Sequence, residues 1–373
     1  MRDKEQLLAR VEKTIQEQLL CEVDSPILLM VSGGSDSVAM AYIAANLKEK
    51  GVISDFAMLH VNHQLRGEEA DKDQAFVQEL AESLQTPLFI CEIDIPGEVA
   101  RTGENVEAVA RRERYLAADM SLESYCRHKS TPLSEGRIFT AHTQNDRVEN
   151  FYMRSIVGTG PGGFRSMLYR NGPVVRPLLD VNREELRNYI LEYQKESGAV
   201  ITDEQGNYWR EDATNAHTDR FRSYIRHEIV PRMQARNPQL LDTLCRSMNL
   251  IADEDDMLEE MAGEIETRCV EWLESTEDQS INYCEGCIFT PAFGNEKLPL
   301  QRRVCSEVLS KMLGPDARPE TASVEAIVKS FDPQGKPIGG YIANLQGNLA
   351  LSANKQGARL EPMARYRERR KRD

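Results

Sequence analysis

The stretch that decides the fold is Ile27-Leu28-Leu29-Met30-Val31-Ser32-Gly33-Gly34-Ser35-Asp36-Ser37. Its apolar first half predicts a buried parallel strand, and the apolar-periodic residues after it predict a helix. A strand, a glycine-rich turn and a helix N-terminus together favour an anion, because the backbone N–H groups and the helix dipole point toward it. The glycines allow a tight turn, and the serine hydroxyls can donate to phosphate oxygens.

Asp36 is the unusual member of this loop, because a carboxylate repels a phosphate unless a cation such as Mg²⁺ lies between them. The loop lacks the lysine of a Walker A motif and the spaced glycines of a dinucleotide-binding turn. Two interpretations follow from the residues. The loop binds a nucleotide with a metal ion at Asp36, or it is an ordinary helix start in which Asp36 complements the dipole.

Length and composition indicate a globular chain of two or three domains. The 373 residues are 40% hydrophobic, and no apolar run approaches the roughly 18 residues of a membrane span. Residues 1–6 are charged and open a helix, unlike a signal peptide. These features exclude a membrane protein and predict a cytoplasmic location.

The cysteines and the charge distribution give weaker signals. The eight cysteines are scattered, so we expect reduced, mainly packed thiols; Cys284 and Cys287 form one C-x-x-C pair, and metal or redox use of it is the minor alternative. A net charge of −14 argues against indiscriminate coating of nucleic acid. Residues 359–373 nevertheless hold seven Arg or Lys against three acids, which fits either phosphate contacts or a solubilising end.

Strands alternate with helices over the first half of the chain, which predicts right-handed βαβ units and a Rossmann-like parallel sheet of the α/β class. The predicted strands are 27–31, 55–61, 87–93, 138–141 and 174–180. Ligands bind such sheets outside the carboxyl ends of the strands. We therefore expect the polar loops 60–67, 104–115 and 141–150 to meet the loop at residues 32–37 in one crevice. Asp146 and Glu149 are three apart and would share a helix face there.

The rest of the chain predicts a helical connector followed by a small α+β domain. The glycine-rich segment 158–164 is either a substrate-gating loop or a plain turn. Residues 220–227 mix cationic and aromatic side chains, as a nucleic-acid surface or an amphipathic helix does. The predicted domains are 1–215 (catalytic), 216–285 (helical connector, nucleic-acid-binding), 286–360 (α+β) and 361–373 (basic tail).

Seven motifs in order resemble the tRNA(Ile)-lysidine synthetase family of N-type ATP pyrophosphatases. They are S-G-G-S-D-S (32–37), H-V-N-H-Q-L-R-G (60–67), E-N-x-E-x-x-A-R-x-x-R-Y (104–115), A-H-x-x-x-D-x-x-E (141–149), V-R-P-L-L (175–179), W-R-E-D-x-x-N (209–215) and R-x-x-I-R-H-x-x-x-P (222–231). The similarity is strong over residues 25–235 and weak to about 360. The first motif marks only the superfamily of N-type ATP pyrophosphatases. The later motifs narrow the resemblance to the tRNA(Ile)-lysidine synthetase family. We also expect the chain to end early compared with the longer members of this family, which carry a further terminal domain.

The resemblance implies a two-step reaction. ATP adenylates the C2 oxygen of the first anticodon cytidine of a CAU-bearing isoleucine tRNA and releases pyrophosphate. The ε-amine of free lysine then displaces AMP and leaves lysidine. ATP, Mg²⁺, lysine and this tRNA are therefore the implied ligands, and a homodimer is left open.

The resemblance also implies roles for individual residues. It implies that ATP is bound by Ser32, Gly33, Gly34, Ser35, Asp36, Ser37, His60 and Arg112, with Mg²⁺ at Asp36. It implies that Asp36, Arg111 and Asp146 are catalytic, with Arg112 or Arg114 as alternative cations. The implied lysine carboxylates are Glu107, Asp146 and Glu149, and the implied bases are His60, His63 or His142. The implied tRNA contacts are Arg66, Arg210, Arg222, Arg226 and His227, which makes 216–285 the implied tRNA-binding domain.

One segment departs from the family pattern. Asn145 stands where the family usually has Asp, which removes one carboxylate from the implied lysine pocket, and Arg147 adds a positive charge nearby. We expect activity with an altered lysine affinity. Two other functions remain in competition, namely another tRNA-modifying enzyme such as a cytidine 2-thiolase, and a non-catalytic tRNA-binding relative.

Overall fold

The computed structural model describes residues 2–65, 67–197, 201–211, 221–273, 285–314 and 317–372. The chain divides into two compact units, Met1–Ile251 and Ala252–Asp373. Within these ranges no helix is both long and apolar enough to cross a bilayer. Cys21, Cys91, Cys126, Cys245, Cys269 and Cys305 are free thiols, whereas Cys284 lies outside the described residues.

The first unit is built on a six-stranded sheet, as predicted for an α/β fold. Its strands are β1 Ile27–Met30, β2 Phe56–Asn62, β3 Leu88–Glu92, β4 Arg137–Phe139, β5 Arg170–Asn171 and β6 Val174–Val175. The order is β3-β2-β1-β4-β6-β5, with every neighbouring pair parallel except β5 and β6. The sequence did not predict the short antiparallel β5. The predicted strand 174–180 is regular only at its first two residues.

Helices cover both faces of this sheet. They are α1 Arg2–Glu17, α2 Ser35–Glu49, α3 Glu68–Ser83, α4 Ile95–Thr102, α5 Val106–Lys129, α6 Gln144–Val157, α7 Arg183–Ser197, α8 Phe221–Tyr224, a π-helical turn Ile225–Ile229, and α9 Val230–Arg236, with α10 Leu240–Cys269 beginning in this unit. The central strand β1 separates two cores, because Leu29 packs into one and Leu28 into the other, both fully buried. This alternation follows from the strand period of two.

The second unit is a smaller α+β structure, as predicted. Its sheet has the order β7-β8-β11-β10-β9 and is antiparallel. The strands are β7 Val270–Trp272, β8 Cys287–Phe289, β9 Ile342–Leu345, β10 Leu349–Asn354 and β11 Gly357–Pro362, and the helices are α11 Leu298–Leu313, α12 Thr321–Val328 and α13 Met363–Arg372. Phe289 and Phe293 pack against each other in its core, with ring centroids 4.9 Å apart and ring planes tilted by 52°.

The four predicted domain ranges stay a prediction. The boundary between residues 215 and 216 lies outside the described residues, and the two compact units meet within α10. The predicted basic tail contains helix α13, so most of it has a defined secondary structure.

Candidate functional site

The loop at residues 32–37 forms the predicted strand-to-helix turn. Gly33 has a φ of +92°, a conformation that glycine adopts without strain. The hydroxyl of Ser37 donates to the Gly34 carbonyl at 2.9 Å and accepts from the Ser32 amide at 3.2 Å. These contacts hold both ends of the loop against the first turn of α2.

The first turn of α2 leaves backbone donors available. Gly34 is the N-cap and supplies no side-chain cap. In the described part of the chain, the amides of Ser35, Asp36 and Ser37 have no hydrogen-bond acceptor. Unsatisfied amides at the positive end of a helix suit a phosphate group. The loop therefore fits the polyphosphate of a nucleotide.

Asp36 is held by a residue that the sequence did not single out. Arg183, the first residue of α7, donates from Nε to Asp36 Oδ2 at 2.9 Å, while the Ser35 hydroxyl donates to Oδ1 at 3.2 Å. Burial raises the pKa of the Asp36 carboxyl, and Arg183 opposes that rise. One carboxylate beside substrate phosphates is a common way to hold Mg²⁺, so Asp36 fits that role once its Oδ2 is released from Arg183.

Three carboxylates meet at the carboxyl edge of the sheet, and we call Asp36, Asp146 and Glu149 the carboxylate cluster. The guanidinium of Arg183 joins them, because it lies 2.9 Å from Asp36, 3.3 Å from Asp146 and 3.6 Å from Glu149. Asp146 and Glu149 project from the first two turns of α6, as their spacing predicted. The side chain of Glu149 is 2% exposed, so the cluster is largely removed from water.

Two further arginines reach the cluster from the segment 221–229. Arg222 donates to Asp146 at 2.7 Å and to Glu149 at 2.9 Å, and Arg226 donates to Glu149 at 2.6 Å and 3.0 Å. Burial opposes ionisation of Asp146, yet Arg183 and Arg222 hold its pKa below the usual range. The cluster thus carries three negative charges against three guanidinium groups, and a new cation must replace one of them.

The position of this segment follows from apolar packing. Ile225 and Val230 are buried against Val148 of α6 and Met248 of α10. Because these contacts fix the segment over α6, the arginines beside them point at the α6 carboxylates.

His142 lies beside the cluster and is a neutral imidazole. Its Nδ1 and the hydroxyl of Thr140 are 2.9 Å apart. Burial lowers the pKa of His142 to about 4, although Asp146 acts in the opposite direction. Arg111 also acts electrostatically on His142. Arg111 itself is exposed on α5, where its guanidinium lies 5.1 Å from the centre of the Tyr115 ring, and its predicted catalytic role stays a prediction.

Several predicted site residues make their contacts elsewhere. Arg112 pairs with Glu104 and Glu113 on the surface of α5. Glu107 is exposed in the first turn of that helix, where its amide donates to Asn105. Neither residue contacts the loop or the carboxylate cluster within the described ranges, and their predicted roles stay predictions.

His60 and Arg210 support the loop. His60 is buried, and its Nδ1 donates to the carbonyl of Val31 at 2.9 Å, directly before the loop. Arg210 donates its amide to the Gly33 carbonyl at 2.9 Å and pairs with Asp73 of α3 at 2.8 Å. His227 is exposed on the π-helical turn, and Arg66 lies outside the described residues.

The two departures from the family pattern point away from the cluster. The side-chain oxygen of Asn145 accepts from the Arg183 backbone amide at 2.9 Å, so it caps the N-terminus of α7. Arg147 is 1% exposed and bonds to Asp180 at 3.2 Å and to Asn249 at 2.6 Å. Arg147 has the partners of a buried structural cation.

Arg183 is the main residue that the sequence reasoning missed. It begins a helix directly after the strand-like run at 174–180, at the carboxyl edge of the sheet. Ligands bind such sheets outside the carboxyl ends of the strands, and this rule applies to the start of α7 as it does to the other strand ends.

Known proteins are similar to the part of the chain that forms the crevice. A family model described as a PP-loop domain matches residues 4–233. The tRNA(Ile)-lysidine synthase of Caldanaerobacter subterraneus subsp. tengcongensis is 27% identical over 327 residues, which cover 87% of this chain and 64% of that protein. The enzyme of the same name from Thermus thermophilus is 32% identical over 329 residues, which cover 86% of this chain and 55% of that protein.

The chain therefore spans about 55–64% of the length of these relatives. Among solved structures, the U34-tRNA thiolase NcsA from Methanococcus maripaludis is similar over 67% of this chain and 79% of that one, with a sequence identity of 15% and a TM-score of 0.47. The family match covers more than half of the chain and includes the loop, α6 and the segment 221–229. The chain belongs to the PP-loop domain family.

Proposed function

We propose that this protein uses ATP to join free lysine to C2 of the wobble cytidine in a CAU-bearing isoleucine tRNA. The observation that carries the proposal is that one side chain, Arg183, contacts both the loop carboxylate Asp36 and the α6 carboxylates Asp146 and Glu149. Nucleotide chemistry at the loop and amine chemistry at α6 would therefore occur within one side-chain length. The relatives named tRNA(Ile)-lysidine synthase support an isoleucine tRNA as the partner.

In the first step, the cytidine C2 oxygen forms a bond to the α-phosphorus of ATP, and the bond to pyrophosphate breaks. The amides of Ser35, Asp36 and Ser37 would hold the departing phosphates, with Ser32, Gly33 and Gly34 shaping the turn. Mg²⁺ held by Asp36 would neutralise phosphate charge. Arg111, or alternatively Arg112 or Arg114, would stabilise the charge that develops on the leaving group.

In the second step, the lysine ε-nitrogen forms a bond to C2, and the bond from C2 to the adenylated oxygen breaks to release AMP. Asp146 and Glu149 would bind the incoming ammonium, because carboxylates form strong charge-assisted hydrogen bonds with it. In the described arrangement their oxygens are engaged by guanidinium groups, so the ammonium has to displace Arg222 or Arg226. His142 is neutral at pH 7 and close to Asp146, which makes it a candidate acceptor for the amine proton.

The tRNA would be held by cationic residues around the crevice. The proposed contacts are Arg66, Arg210, Arg222, Arg226 and His227, in a molecule whose catalytic, connecting and C-terminal parts follow the predicted domain ranges. Glu107 and His60 keep their predicted roles as a lysine carboxylate and an ATP contact, and a cytoplasmic location is part of the same proposal.

The test separates the two steps. The protein is incubated with α-labelled ATP, Mg²⁺ and the isoleucine tRNA without lysine, and unlabelled lysine is then added. We expect AMP label on the tRNA before lysine and its release as free AMP afterwards, with no label on a methionine tRNA of the same anticodon. If AMP is transferred to the tRNA and a sulfur donor releases it but lysine does not, the protein is a thiolase. Retention of tRNA by folded protein with no ATP turnover would indicate a non-catalytic relative.

A further inference from the structure

A polar cleft of about 480 Å³ lies beside the carboxylate cluster. We call it the polar cleft and define it by the residues that line it: Gln144, Asn145, Asn182, Arg183, Glu184, Arg187, Gln234, Pro238, Leu241 and Asp242. Eight of the ten are charged or amide side chains, and they come mainly from the starts of α6, α7 and α10. The cleft has the volume of a small-molecule site but little apolar lining, so it suits a small, charged ligand better than a base or an apolar group.

Charged groups in the polar cleft are available for a ligand. The side chain of Glu184 has no hydrogen bond or ion pair within the described residues, and that of Asp242 accepts only one bond there, from Gln144 at 2.8 Å. Arg187 lies over the ring of Trp209, 5.5 Å from its centroid, and makes no ion pair in the same ranges. Carboxylates and a guanidinium facing one cleft match the two charges of a free amino acid.

The polar cleft adjoins the site proposed for the reacting amine. Arg183 lines the cleft and also contacts Asp36, Asp146 and Glu149. A four-carbon stem separates the two charged ends of lysine. One lysine could therefore place its ε-ammonium at the cluster and its α-carbon in the cleft.

We propose that the polar cleft binds the α-ammonium and α-carboxylate of the amino acid substrate. Arg187 binds the α-carboxylate, and Glu184, assisted by Asp242, binds the α-ammonium. This inference rests on the proposed function and deepens it, because it makes the α-carbon end of the substrate a specificity determinant. The cleft selects a free amino acid over a simple amine.

The test measures the activity of two variants on three amines, all of which carry the same reacting ε-amine. Lysine carries both α-groups, lysinamide lacks the carboxylate, and 6-aminohexanoate lacks the α-ammonium. We expect Arg187→Gln to raise the KM for lysine about ten- to hundredfold while leaving kcat/KM for lysinamide unchanged. We expect Glu184→Gln to raise the KM for lysine by a similar factor and to leave kcat/KM for 6-aminohexanoate unchanged. Lys195→Gln, an exposed cation on the same helix, should change nothing.

The outcomes keep this inference distinct from the proposed function. Glu184 and Arg187 are exposed, so both variants should fold, and transfer of AMP to tRNA without any amine should match the wild-type protein. If Arg187→Gln lowers kcat/KM for lysine and lysinamide equally, or lowers neither, the assignment of the polar cleft is wrong. The proposed lysine transfer to tRNA is not affected by that result. If the wild-type protein transfers no AMP at all, the proposed function itself fails.

Discussion

Asp146 has a structural and a chemical role at once. Its Oδ2 accepts from the amide and hydroxyl of Thr143 at 2.8 Å and 2.9 Å, which completes the capping box at the start of α6. Its Oδ1 faces Arg222 and Arg183. The capping bonds fix the carboxylate in one orientation, so the helix start places a preoriented anion in the crevice.

The first prediction concerns Asp36. Asp36→Asn removes the charge that faces Arg183 and the proposed metal ion, so we expect loss of pyrophosphate release with unchanged tRNA binding. Pyrophosphate is measured by a coupled assay and binding by filter retention. Asp24→Asn, an exposed acid before β1, serves as the control. Normal turnover by Asp36→Asn would refute the role given to this carboxylate.

The second prediction uses the pKa of His142. The imidazole protonates near pH 6.5 in the unfolded chain but only near pH 4 in the folded protein, mainly because it is buried. The folded state therefore binds fewer protons between these values, and the free energy of unfolding falls as pH falls through this window.

His142→Gln should remove that dependence. We expect the wild-type protein to lose about 1–3 kcal/mol more than the variant between pH 7 and pH 4, measured by urea unfolding at several pH values. Groups that titrate in both proteins cancel in the difference. Parallel pH profiles for the two proteins would show that His142 is not the titrating group.

At the scale of elements, the site is an arrangement of helix starts and one short segment. α2, α6 and α7 all begin at the carboxyl edge of the parallel sheet. The segment 221–229 then covers α6 and supplies two arginines. The π-helical turn at Ile225–Ile229 is an irregularity often found at functional positions.

The third prediction tests the charge balance of this segment. Arg226→Gln leaves the buried Glu149 short of a partner, so we expect the free energy of unfolding to fall by about 2–4 kcal/mol. Arg232→Gln is the matched control, because Arg232 is 72% exposed and pairs with Glu228 at the surface; its cost should stay within about 0.5 kcal/mol. Adding Glu149→Gln to Arg226→Gln should restore part of the loss. Equal effects of the two arginine variants in urea unfolding would contradict this account.

The sequence predicted the elements that obey local rules. The loop at 32–37, the parallel strands and the shared face of Asp146 and Glu149 follow from hydrophobic periodicity and spacing. The partners of the cluster did not, because Arg183 and Arg222 lie 37 and 76 residues from Asp146 in sequence. Helix α5 continues to Lys129, well beyond the polar segment 104–115, because Leu122, Tyr125 and Cys126 extend its buried face. The spacing of side chains on one element is local, whereas pairing between elements depends on tertiary packing.

At the scale of the whole molecule, charge is distributed unevenly. The net charge is −14, yet α13 carries six Arg or Lys among its ten residues. Arg369 bonds to the buried Glu361 at 2.6 Å, which anchors the helix to β11. Arg367, Arg370 and Lys371 are exposed and have no ion pair in the described part of the chain, so they are available for phosphates.

The fourth prediction follows from these exposed cations. The triple variant Arg367→Gln, Arg370→Gln, Lys371→Gln should bind tRNA more weakly. Its dependence of log Kd on log salt should also be shallower, by roughly 0.7–0.9 for each phosphate that the variant no longer neutralises. AMP transfer at saturating tRNA should stay unchanged. Lys13→Gln and Lys50→Gln, exposed cations of the first unit, provide the control. An unchanged salt slope would assign α13 a purely structural role.

The most direct test of the central claim is the fate of labelled lysine. The protein is incubated with ATP, Mg²⁺, radiolabelled lysine and the CAU-bearing isoleucine tRNA, and the label in tRNA is counted beside AMP and pyrophosphate. We predict one lysine on the wobble cytidine for each AMP and each pyrophosphate released. Label-free tRNA and intact ATP, from folded protein that binds this tRNA, would contradict the proposed reaction.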